Sequence, residues 1–166
     1  MTVMDVQKNP EALTLTLTAR FDAPPVRVWQ VWQDPRQLER WWGPPTYPAT
    51  VVDHDLAPGG RVAYFMTGPE GDKHHGWWRI LSVDAPHRLE FEDGFSDDAG
   101  RPNPEMPTTT VRVRLTSADG TSTVMTVEST FATPEAMKQL LSMGMDEGMT
   151  ASMNQIDTVL AGPAVG

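Results

Sequence analysis

The chain has no cysteine, which removes disulfides, thiolate nucleophiles and thiolate metal sites from consideration. That absence suits a reducing compartment, and a cytoplasmic location is the expectation. No apolar run approaches the ~20 residues that a membrane-spanning helix needs. Met1 to Glu11 lack the basic and apolar regions of a secretory signal and are read as a flexible leader, residues 1–11. Positive charge is scarce: 13 Lys and Arg face 22 Asp and Glu, for a formal net charge of −9. The basic residues form no stripe, and the negative balance repels phosphate backbones and anionic headgroups, so neither nucleic acid nor membrane is an expected partner.

Catalytic signatures are missing too. Pro58-Gly59-Gly60 is followed by neither Lys-Ser/Thr nor a helix start, so it is a tight turn rather than a phosphate cradle. None of the serines sits in a Gly-x-Ser-x-Gly elbow. Asp53-His54-Asp55 and His74-His75 hold ligand-competent atoms, but strand parity turns His54 away from its two neighbours and nothing makes three or four ligands converge. No metal and no cofactor is expected, and no catalytic residue is assigned.

What is present is a core and a clear order of elements. The 166 residues are 39% hydrophobic and include six Trp. A chain of this length buries roughly 70% of its unfolded surface, enough for one domain without covalent staples. Leu13 to Thr18 alternates apolar and polar, the period of a strand with one buried face. Pro24-Pro25 opens a short helix containing Val28, Trp29, Val31 and Trp32, and Asp34-Pro35 starts a second that ends at Trp41-Trp42-Gly43-Pro44. Six strand candidates follow: Thr50–Leu56, Arg61–Thr67, Gly76–Asp84, Arg88–Asp93, Thr109–Ser117 and Thr121–Phe131. Short turns between them, Asp119-Gly120 above all, make the sheet an antiparallel meander; the one long connection, 94–107, is a candidate lid.

The last element is predicted as one helix of roughly 42 Å from Thr133 to Ala161. Thr133 is its N-cap, Pro134 its first residue and Glu135 its dipole partner, while Gly162-Pro163 stops it. Met137, Leu141, Met145, Gly148, Ser152, Ile156 and Val159 fall on one side, which must lie against the sheet. Gly144 and Gly148, four residues apart, make a notch that lets the helix approach the sheet, bend, or leave room for a ligand. The expected class is α+β: a curved antiparallel sheet of about seven strands around a long C-terminal helix, with two short helices after strand 1. The domain spans 12–161, with a tail at 162–166.

Particular residues sharpen this. Phe21-Asp22-Ala23-Pro24, Val28-Trp29, Asp34-Pro35, Leu38, Trp41-Trp42-Gly43-Pro44, Asp55-Leu56-Ala57-Pro58-Gly59-Gly60-Arg61 and Met143 to Gly148 occur in that order. In this the chain resembles the START-like superfamily with its helix-grip fold, and more narrowly the family related to the C-terminal domain of the activator of the heat-shock-protein-90 ATPase. One departure is Gly148-Met149, where that family often has Gly-Trp. The resemblance implies an apolar cavity between sheet and C-terminal helix that takes a hydrophobic or aromatic small molecule. Strand parity and helix face nominate Tyr64, Trp78, Phe91, Met125, Met145 and Met149 as its lining. Two alternatives accompany this reading. An enzyme of the cyclase, aromatase or hydrolase type would need a buried ionisable group in the cavity, with Tyr64, His54 and Asp53 as first candidates. A chaperone-ATPase-stimulating protein of the stress response would need an exposed apolar patch around Trp41 and Trp42. Oligomeric state is not legible.

Overall fold

The computed structural model describes residues 3–162. Along them run β1 (Val3–Asn9), β2 (Thr14–Phe21), α1 (Pro25–Gln33), α2 (Pro35–Leu38), β3 (Ala49–His54), β4 (Arg61–Thr67), β5 (Lys73–Asp84), β6 (Arg88–Phe95), β7 (Thr109–Thr116), β8 (Thr123–Phe131), α3 (Pro134–Ser142), α4 (Met145–Met153) and α5 (Ile156–Leu160). The strands form one eight-stranded sheet in the order β1-β2-β8-β7-β6-β5-β4-β3. Every neighbouring pair is antiparallel, as short turns require of the strands they join.

The alternating pattern places the core. In β2, Leu15, Leu17, Ala19 and Phe21 are buried on one face. In β8 every second residue from Thr123 to Phe131 is buried, and in β7 Thr109, Val111, Val113 and Leu115 are. Each fully buried Leu, Val or Phe contributes about 1.5–3 kcal/mol relative to exposure, so a one-residue slip of any central strand is strongly disfavoured. Against this inner face lie α1 and the three C-terminal helices, and between the layers sit the tryptophans. Trp32 and Trp41 meet edge to face at 4.8 Å, and Trp78 stacks on Phe91 at 4.0 Å. Trp32 donates to Met125 Sδ at 3.4 Å and Trp41 to the Val31 carbonyl at 2.9 Å, so these indoles are satisfied as well as buried.

Two expectations are corrected. Residues 3–9, read as leader, form β1, which pairs along β2 from Val3↔Ala19 to Asn9↔Thr14. The sequence does not announce this strand because β1 is an edge strand whose side chains from Asp5 to Asn9 are all exposed, with no buried alternation to mark a period of two. The single C-terminal rod is instead three segments. Its start is as expected: Thr133 Oγ1 accepts from Ala136 N at 3.0 Å, with Pro134 and Glu135 in the first turn. Gly144 then adopts φ +83°, the left-handed conformation that interrupts an α-helix and that glycine tolerates best. Of the expected tail, residues after Gly162 lie outside the described residues, as do Met1 and Thr2 of the leader. No helix among the described residues is long and apolar enough to cross a membrane.

Candidate functional site

Where α3 gives way to α4, the helical layer stands off the sheet and leaves a pocket of about 280 Å³. The sheet supplies Tyr64 and Met66 from β4, Asp93, Gly94 and Phe95 from β6, and Thr109 from β7. The helices supply Leu140, Met143, Met145, Gly148, Met149 and Ser152, and Trp42 and Pro44 close one end. A Cβ built on Gly148 would meet no atom within 4 Å. The glycine therefore faces open space and is not used for close helix–sheet packing. Gly144 bends the layer and Gly148 leaves volume, two different uses of one notch.

Of the six nominated lining residues, the structure brings Tyr64, Met145 and Met149 together at the pocket. Trp78, Phe91 and Met125 are fully buried in the core beneath it, and this part of the nomination is corrected. Their strand parity was right, since all three point inward. Parity says which face a side chain occupies but not whether another side chain covers it, and here Trp32 and Trp42 do: Trp42 packs on Trp78 at 4.7 Å, and Trp32 lies against Phe91 and Met125. Of the Trp77-Trp78 pair, Trp78 points inward, while Trp77 lies over Gly94 and donates to the Phe95 carbonyl at 3.0 Å.

Asp93 is the residue sequence reasoning missed. Its carboxyl is the single acidic group on the pocket wall, and Tyr64 donates to its Oδ1 at a long 3.5 Å. Burial raises the Asp93 pKa to about 7, against a smaller opposing effect of hydrogen bonds from Tyr64 and the Gly94 N–H. Burial, then the Asp93 charge, pushes the Tyr64 phenol well above its ordinary value. Part of the Asp93 surface remains accessible, and that part opens on the pocket. The indole N–H groups of Trp42 and Trp78 lie close enough to the phenol oxygen to act against that rise, yet neither reaches hydrogen-bonding geometry with any partner. A signal existed: Asp93 sits at an inward position two residues after Phe91, where a carboxylate interrupts an apolar alternation.

The other candidates disperse. His54 Nε2 lies 3.0 Å from the Trp32 carbonyl, and Asp53 is exposed on the edge strand after a register shift, so neither reaches the pocket. His74 pairs with Asp72 at 2.7 Å on the surface. No cluster of three His, Asp or Glu suited to a metal occurs among the described residues. Trp41 and Trp42 are 0% and 5% exposed, so the apolar surface patch required by the chaperone alternative does not exist at those residues. A second, wider groove of about 660 Å³ lies between β1 and α4, where Lys8 and Asp146 form an ion pair at 2.8 Å. It is shallow and open, and the charged Lys8, Asp146 and Glu147 are among the residues that line it.

The sequence profile of the Activator of Hsp90 ATPase homolog 1-like proteins matches residues 22–161. Among solved structures, a Mycobacterium smegmatis protein is 51% identical with a TM-score of 0.88, over 98% of this chain and 99% of that one. An Arthrobacter aurescens protein is 50% identical with a TM-score of 0.93, over 98% and 94% of the two chains. A Staphylococcus epidermidis protein at 28% identity has a TM-score of 0.82 over 95% and 94%. No curated protein matches the chain.

Proposed function

The chain belongs to the Activator of Hsp90 ATPase homolog 1-like family, and from that premise we propose that it is a binding module for a small hydrophobic or aromatic molecule held between sheet and C-terminal helices. The observation that supports this most directly is the open space at Gly148, faced by Met145 and Met149 on one side and Tyr64 and Met66 on the other. Thioethers adapt to ligands of varied outline, and Trp42 and Tyr64 offer rigid aromatic faces. At about 280 Å³ the volume falls just short of the roughly 300–1,000 Å³ typical of ligand sites, which suits a small molecule of one or two rings. Burial of apolar ligand surface drives binding, and the sparse polar groups set orientation.

Trp42 lines the pocket, so its emission reports occupancy. Titration of the protein with one- and two-ring aromatics should change tryptophan fluorescence saturably, and mass spectrometry of gently purified protein should find a co-purifying apolar compound. A flat response across such a series, with no thermal stabilisation, would remove this reading. A chaperone-stimulating role has no comparable surface in its favour at Trp41 and Trp42.

A further inference from the structure

Asp93 is an acid without a counter-ion in a wall of aromatic rings and thioethers. The hydrogen bonds it accepts come from Tyr64 and from the Gly94 N–H, and no Lys, Arg or His lines the pocket. Buried carboxylates are normally paired, because removing one from water costs several kcal/mol that only a cation or several good hydrogen bonds offset. The Tyr64 contact, at 3.5 Å, is too long to be a strong one. The buried carboxyl therefore keeps its proton up to about pH 7, and it can be ionised below that only if a cation from outside the chain pairs with it.

We propose that the pocket selects a hydrophobic amine, whose ammonium group pairs with Asp93 while its rings lie between Trp42, Tyr64 and the α4 methionines. This deepens the ligand-binding reading above and rests on it. Three features favour an ammonium over a neutral oxygen or an anion. The carboxyl is the single acid on the wall, and an N–H donor from a cation forms a short, charge-assisted bond to it. The Trp42 and Tyr64 rings present π-faces that attract a cation as it is desolvated. The protein's net charge of −9 concentrates cations around it and disfavours carboxylates and phosphates.

The test compares three probes of nearly equal shape: 2-naphthylmethylamine, 2-naphthalenemethanol and 2-methylnaphthalene. Isothermal titration at neutral pH should show the amine binding about 10-fold or more tighter than either neutral probe, the size of a charge-assisted hydrogen bond in a partly buried site. In Asp93→Asn, which keeps side-chain shape, the amine should fall to the affinity of the alcohol. In the unmodified protein the carboxyl ¹³C resonance of Asp93 should move to its ionised position as amine is added just below neutral pH, a readout independent of any variant. Equal or tighter binding of the alcohol, or an amine preference that survives Asp93→Asn, would overturn the proposal while leaving the apolar pocket standing. Failure of 2-methylnaphthalene and the other two to bind at all would sink both.

Discussion

Tyr64 of β4 and Asp93 of β6 reach each other across the strand between them, the phenol donating to Oδ1 at 3.5 Å. The contact exists because β5 places Gly76 opposite Tyr64. A Cβ there would overlap the phenol ring, so the ring lies flat over bare backbone.

Gly76→Ala is therefore expected to displace the Tyr64 ring. Overpacking of this kind costs about 1–3 kcal/mol, measurable by urea denaturation. Because Tyr64 then leaves Asp93, the pocket-wall contact should weaken as stability falls. Gly71→Ala on the preceding turn is the control: it meets no atom but strains a backbone at φ +83°, so it should lower stability without touching the carboxyl.

The raised pKa of Asp93 fixes the sign of a second effect. The folded state holds its proton up to about pH 7, whereas an ordinary Asp loses it near 3.8. Between those values the folded state binds more protons, so this group's contribution to stability falls as pH rises and is fully lost above about 7. Asp93→Asn removes that loss. It should stabilise the empty protein by on the order of 2 kcal/mol at pH 8 and by little at pH 4, the discount reflecting partial solvent access. Chemical denaturation of both proteins at the two pH values checks it, and equal effects would contradict the assignment.

Ligand affinity should follow the same titration. The group facing Asp93 that titrates is Tyr64, which stays protonated because its pKa is pushed further up. Trp78 and Thr109 on the adjacent strands and Leu140, Met143, Met145, Met149 and Ser152 on the helices carry no titrating group. The affinity of 2-naphthylmethylamine should thus rise with pH until Asp93 is ionised in the free protein, about 7, and then level off while the amine remains charged. That of 2-methylnaphthalene should not follow this profile. Titrations across the range decide it.

The sheet was legible from the sequence because burial on one face writes itself as alternation: Leu13 to Thr18 and Thr121 to Phe131 announce β2 and β8 directly. β1 lacked that signal, being a polar edge. The break at Gly144 was visible only as one of three uses for a glycine pair, since helix periodicity persists across a one-residue left-handed kink. The inner face of the sheet was identified correctly, yet half of the nominated lining lies one layer too deep. Which inward residues touch a cavity depends on where the Trp32 and Trp42 rings fall, and that is decided by packing between distant segments. Asp93 belongs to no histidine cluster or carboxylate pair, and its sign in the sequence is a single acid at an inward strand position.

Gly148 separates fold from occupancy most cleanly. Its Cβ direction is empty, its backbone is helical, and it contacts the pocket. Replacing it by Leu removes the helix penalty of glycine, worth about 0.5–1 kcal/mol, so thermal stability should hold or rise. The new side chain projects into the space between Met145, Met149 and the sheet, occupying volume that a two-ring ligand needs. Binding of every naphthyl probe should then fall by at least about 10-fold, the loss of a few methylene-equivalents of buried contact, with the far-ultraviolet circular dichroism unchanged. Gly148→Ala, which adds one methyl group, should show the stability gain with a much smaller loss of binding. If Gly148→Leu is stable and still binds 2-methylnaphthalene as tightly as the unmodified chain, the ligand lies elsewhere and the space beside α4 is only a packing defect.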